Sequence, residues 1–145
     1  MLGLFLLISI FILDIGIMKK DFIRHLENKL KLKILYVIQL YGGCINKAFK
    51  IETTRGNYFV KLNLSINLFS LEEKGLSVLK STNTFYIPDV IISNKYKNIY
   101  YLIMEFIESD NKKDNFWELF GHKLAMLHKN HHQKFGLGYD NYIGS

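Results

Sequence analysis

Three parts of this sequence have the residue types and spacing to hold a phosphorylated ligand. Lys61 lies inside a β-forming run, Tyr58-Phe59-Val60-Lys61-Leu62, where a strand can aim a cation at anionic oxygens. Glu72 follows on a helical pattern and shares its apolar stripe with Leu68, Gly75, Leu76 and Leu79, while Glu73 falls off that stripe. An inward carboxylate requires a cationic partner. Gly42-Gly43-Cys44-Ile45-Asn46 stands between two strand-like runs, and a glycine turn lets backbone N–H groups approach phosphates closely. Each feature alone has an ordinary explanation: a simple turn, an exposed edge lysine, a solvated helix-end glutamate. Their order along the chain gives them a common purpose.

The elements that must position these residues follow from periodicity. Phe22, Leu26 and Leu30 recur at spacing four and predict a helix over Asp21–Leu30. Ile34–Tyr41 is a dense apolar run ending at Gly42-Gly43, read as a buried strand. Ile45–Thr53 and Tyr58–Leu62 are further strands, joined by the turn Thr54-Arg55-Gly56-Asn57. A helix is expected over Asn67–Ser81, then strands at Val90–Ser93 and Tyr100–Ile107 around an Asn/Lys turn. Asp110–Asp114 is a polar link, Phe116–Asn130 a helix ridged by Phe116, Phe120, Leu124 and Leu127, and the tail from Phe135 a loop.

Composition limits the alternatives. The 145 residues are 49% hydrophobic and 22% charged, enough for a sizeable core and incompatible with a disordered chain. A single Cys44 excludes an intramolecular disulfide and a zinc site built from several cysteines. The formal net charge of +6 favours anionic partners, but the basic residues are scattered, which argues for a solvated surface over a nucleic-acid stripe. The aromatic residues fall mostly on apolar strands and helix ridges, so core packing accounts for them better than base stacking. Residues 1–17 are apolar up to Asp14, shorter than a membrane span and without a leading basic segment. They are expected to lie outside the fold, with Met18-Lys19-Lys20-Asp21 as a natural cytoplasmic start. His122, His128, His131 and His132 cluster near the last helix, but the zinc-protease pattern is missing, and no metal site is expected there.

Three strands, a helix and two strands is the element order of a protein-kinase small lobe. A kinase needs a covering turn, a lysine on the third strand, a glutamate on the next helix and backbone groups after the fifth strand for adenine. Gly42–Asn46, Lys61, Glu72 and Met104-Glu105-Phe106-Ile107 occupy those places in order. The chain also resembles a particular family, the fructosamine kinases or ketosamine-3-kinases, small-molecule kinases related to the aminoglycoside phosphotransferases. The resemblance rests on Gly43-Cys44-Ile45-Asn46, Gly56-Asn57-Tyr58-Phe59-Val60-Lys61-Leu62-Asn63, Leu68-Phe69 with Glu72, and Pro88. It continues through Met104-Glu105-Phe106, Phe116-Trp117, Leu124-Ala125-Met126-Leu127-His128, and Phe135-Gly136-Leu137 with Asp140-Asn141-Tyr142-Ile143-Gly144.

The resemblance implies an α+β fold: a kinase-like small lobe over residues 18–108, with a five-stranded antiparallel sheet and one packed helix. Residues 109–145 would begin an incomplete helical lobe. It implies ATP as phosphoryl donor, a ketosamine small molecule or glycated protein as acceptor, and Mg2+ in the complete enzyme. Gly42, Gly43, Cys44, Ile45, Asn46, Lys61, Glu72, Met104, Glu105, Phe106 and Ile107 would bind ATP. Among these, Lys61 would position the phosphates, Glu72 would orient Lys61, and the backbones of Glu105 and Ile107 would hold adenine. The family's catalytic Gly-Asp-Leu-Trp segment and its magnesium-binding aspartate have no counterpart in residues 1–145, so the chain is expected to bind nucleotide without transferring phosphate. Another small-molecule kinase of the aminoglycoside phosphotransferase type, or a non-catalytic nucleotide-binding remnant, is the alternative. A homodimer linked through Cys44 is left open.

Overall fold

The computed structural model describes residues 18–41, 46–131, 133 and 136–140. The apolar segment 1–17 and the glycine turn at 42–45, with Cys44, lie outside the described residues, as do His132, Phe135 and the motif from Asn141 onward.

The element order is α1 (Lys20–Leu30), β1 (Ile34–Leu40), β2 (Lys47–Thr53), β3 (Gly56–Asn63), α2 (Phe69–Ser81), β4 (Val90–Tyr96), β5 (Ile99–Glu105) and α3 (Phe116–His128). The strands form one antiparallel sheet in the order β1-β2-β3-β5-β4. None of the described helices is long and apolar enough to cross a membrane.

Of the described residues, those from 18 to 67 and from 90 to 106 form one compact unit, and those from 68 to 89 and from 107 to 140 a second. In the first, α1 lays Phe22, Ile23 and Leu26 on one face of the sheet. Alternation supplies the other half of this core: Phe49 and Ile51 from β2, Val60 and Leu62 from β3, Tyr101 and Ile103 from β5. Each of these six is 0 or 1% exposed, and burying such a side chain stabilises by about 1.5–3 kcal/mol. Met18, ahead of α1, joins them. The Tyr101 hydroxyl, carried into this core, meets His25 Nε2 at 2.9 Å. The His25 ring also packs on Tyr96 with centroids 4.4 Å apart. Burial raises the Tyr101 pKa. Desolvation, with a smaller contribution from Lys29, lowers that of His25.

Several boundaries differ from those expected. The last two strands meet at a two-residue turn, with Tyr96 paired to Ile99 and Lys97 at φ 53. β4 therefore runs through Asn94 and Lys95, polar residues that an edge strand tolerates, and β5 ends at Glu105, before Phe106 and Ile107. The last helix stops at His128 because the Asn130 amide turns back on it, donating to the carbonyls of Met126 (3.2 Å) and Leu127 (2.9 Å). α2 begins at Phe69.

The second unit is held differently. Phe69 is the buried residue of α2, and α3 has none. Aromatic pairs take the place of a closed core: Phe85–Phe120 at 5.7 Å, Phe116–Trp117 at 4.9 Å and Phe116–Phe120 at 6.2 Å. Lys112 Nζ lies 4.4 Å from the Trp117 ring centre. Lys80 pairs with Asp89 beyond the helix.

Candidate functional site on the second face of the sheet

The alternation that sends Val60 and Leu62 into the core turns Phe59 and Lys61 to the opposite face. Register then fixes the neighbours of Lys61. Across the sheet run Leu40, Ala48, Lys61, Leu102 and Ser93, each paired with the next. A second row, Ile38, Lys50, Phe59, Met104 and Val90, lies beside it. Leu102 is 0% and Met104 7% exposed. Lys61 thus emerges at the centre of the sheet among apolar neighbours, where a cation's field on an anion is less screened than at an open edge.

Asn46, the first described residue after β1 and Tyr41, is anchored from β3. The Asn63 amide donates to Asn46 Oδ1 at 2.8 Å. Its own Oδ1 accepts from the backbone N–H groups of Ser65 (2.8 Å) and Ile66 (3.1 Å). One buried side chain therefore ties Asn46 and the chain beyond β3 to the strand that carries Lys61. Glu105 closes β5, half-buried Phe106 follows it, and Ile107, half-exposed, belongs to the second unit. Glu72 stands in the first turn of α2, partly buried, with Glu73 exposed. Of the stripe read from the sequence, Leu68, Glu72, Gly75 and Leu76 are partly buried, but Leu79 is exposed and the one buried residue, Phe69, lies outside it. Gly42, Gly43, Cys44 and Ile45 are outside the described residues.

Sequence reasoning passed over Lys50. It lies on the Lys61 face, 3.4 Å from the Glu52 carboxylate and 4.7 Å from the centre of the Phe106 ring. The signal was present in β2, where Phe49, Ile51 and Thr53 alternate with Ala48, Lys50 and Glu52. Asn63 is likewise a buried polar residue that hydrophobic periodicity does not mark.

Among the described residues no group of three His, Cys, Asp or Glu side chains could hold a metal ion. His122, His128 and His131 are exposed. The described residues therefore do not fit a protein-built Mg2+ cage.

The fold has counterparts among known proteins. The fructosamine kinase family model matches residues 18–145. A probable ketoamine kinase of Vibrio parahaemolyticus is 34% identical over 114 residues, covering 74% of this chain and 39% of that protein. The chloroplastic protein-ribulosamine 3-kinase of Arabidopsis thaliana is 39% identical over 109 residues, 72% of this chain and 33% of the relative. The crystal structure of a candidate fructosamine-3-kinase from Haemophilus somnus superposes with a TM-score of 0.73 at 25% identity, over 85% of this chain and 43% of that one. The chain thus spans well under half the length of these relatives. The fold is α+β and kinase-like, and with a family match that runs from Met18 to the last residue the chain belongs to the fructosamine kinase family.

Proposed function

We propose that the Lys61 face is the nucleotide roof of a ketosamine-type kinase, and that this chain binds ATP without transferring its γ-phosphoryl group. The observation that carries the proposal is the place of Lys61, central on the sheet face turned away from the core helix and flanked by Ala48 and Leu102. In this reading the Lys61 ammonium neutralises the α- and β-phosphates and Glu72 orients it. The glycine turn ahead of Asn46 covers the phosphates, Met104 lies behind the adenine, and the backbones of Glu105 and Ile107 take its edge. The relatives named ketoamine kinase and protein-ribulosamine 3-kinase support a sugar adduct on an amine, free or on a protein, as the acceptor. Transfer requires a base for the attacking hydroxyl and a metal-held γ-phosphate. The segments that supply these in the family have no counterpart in residues 1–145. Mg2+ would enter with the nucleotide, bound through its phosphates.

Calorimetric titration of the 145-residue chain with ATP and Mg2+ tests the proposal, beside Lys61→Met and an assay for phosphorylated fructosamine. Saturable binding that weakens by about tenfold or more in Lys61→Met is expected, since a charge-assisted contact contributes about 1.5–3 kcal/mol. No phosphorylated product is expected. Binding unaffected by Lys61→Met, or sustained turnover by this chain alone, overturns the proposal.

A further inference from the structure

Four cations converge at the far end of the β2–β3 hairpin from Lys61. Arg24 of α1, Lys31 and Lys33 of the α1–β1 connection and Arg55 of the hairpin turn line an open concavity of about 580 Å³. Glu27 is the one carboxylate in its lining, and it is already engaged. It accepts from the Ile34 N–H at 3.1 Å through Oε1 and meets Lys33 Nζ at 3.5 Å through Oε2. Arg24 has a distant partner, Asp21 at 4.0 Å, with both side chains more than two-thirds exposed, a geometry that contributes little. Lys31 and Arg55 form no ion pair among the described residues.

The frame that carries these cations is tied together by backbone hydrogen bonds. The Thr54 N–H donates to the Lys33 carbonyl at 3.2 Å, joining the hairpin turn to the α1–β1 connection. The Leu32 N–H returns to the Glu27 carbonyl at 3.3 Å. The Thr53 hydroxyl donates to the Gly56 carbonyl at 2.8 Å and accepts from the Arg55 N–H at 3.2 Å. Lys31 holds the left-handed conformation that ends α1, at φ 58. Cations from three segments are therefore brought to one concavity by fixed backbone.

We infer that this concavity is a second anion site, distinct from the Lys61 face, for a compact ligand carrying clustered phosphates. Its lining has no aromatic ring on which a base could stack, which argues against a nucleobase or single-stranded nucleic acid as the recognised part. An excess of guanidinium and ammonium groups around a space of this size suits a small polyphosphorylated anion. The inference does not depend on nucleotide binding at Lys61.

Inorganic tripolyphosphate is the probe, titrated calorimetrically into the full chain at low and moderate salt. The double variant Lys31→Asn/Arg55→Gln removes two cations, and asparagine suits the left-handed position at 31. Lys97→Asn is the matched control, at another left-handed position in the β4–β5 turn, at the opposite end of the sheet. Lys61→Met reports on leakage to the other face, and circular dichroism confirms that each variant is folded. Expected are saturable binding that weakens with salt, a loss of about tenfold or more when the double substitution is made in the wild-type or in the Lys61→Met background, and wild-type affinity in Lys97→Asn. Absence of saturable binding, equal loss in Lys97→Asn, or no loss from the double substitution in the Lys61→Met background overturns the inference. A parallel arm with phosphatidylcholine vesicles, with and without a phosphoinositide, identifies the source of the phosphates. Capture of the chain by the phosphoinositide vesicles, lost in the double variant, assigns them to a lipid headgroup. Binding of tripolyphosphate alone assigns them to a soluble anion.

Discussion

The two units of this chain bury their apolar residues to very different degrees. In the first, Phe22, Leu26, Phe49, Ile51, Val60, Leu62, Tyr101 and Ile103 are 0–2% exposed and touch across one helix–sheet interface. In the second, Phe69 is buried, while Trp117, Leu119, Phe120 and Met126 on α3 are 42–67% exposed. A sheet with a helix on one face closes a core locally. A helix with no buried residue draws little stability from packing, and a helix of this length is marginal on propensity alone. The first unit therefore carries the stability of the described fold, and it also carries Lys61.

Truncation should expose this difference most sharply. Phe49→Ala should cost about 3–5 kcal/mol by removing a ring from a closed core. Leu119→Ala, at a half-exposed site on α3, should change stability by no more than about 0.5 kcal/mol. Urea unfolding of both variants checks the pair, and comparable losses would break the comparison.

A smaller effect is expected where the candidate site joins the first unit. Asn63→Ala removes the amide that holds Asn46 and the acceptor of Ser65 and Ile66. It should cost about 1–3 kcal/mol and speed amide exchange at Asn46, Ser65 and Ile66. Unchanged exchange there would mean that Asn63 does not anchor Asn46 and the chain beyond β3.

The smallest effect concerns pH. The folded-state pKa of His25 lies below the ordinary imidazole value of 6.5, through desolvation first and Lys29 second. The unfolded chain thus binds this proton more readily than the folded one. Stability is complete above about pH 6.5 and declines as pH falls from there through the folded pKa. Thermal unfolding from pH 7.5 to pH 5 should show that decline, and His25→Gln should flatten it. An unchanged slope in His25→Gln would locate the titration elsewhere.

Much of the sheet was legible from sequence because its strands are short, β-branched and punctuated by glycine turns. The helix stripe separated Glu72 from Glu73, and alternation placed Lys61 opposite Val60 and Leu62. The edges of elements were not legible. Asn94 and Lys95 read as a turn because an edge strand and a turn tolerate the same polar residues. Asn130 read as helix because a side chain that caps carbonyls leaves no trace in hydrophobic periodicity. Lys50 escaped because its contact with Phe106 joins two segments far apart in sequence, and the nearby Glu52 on the same strand reads as an ordinary surface pair without it. The packing of α1 on the sheet was unassigned, since an amphipathic helix announces a buried face without naming what covers it.

The central claim is that the sheet face carrying Lys61 receives the nucleotide. Hydrogen exchange of the 145-residue chain, with and without ATP and Mg2+, tests it most directly. Slower exchange at Tyr41–Asn46 and Met104–Ile107 on addition of nucleotide is the predicted result. No slowing at those segments, with protection confined to Lys20–Lys33 and the Thr54–Arg55 turn, would contradict it.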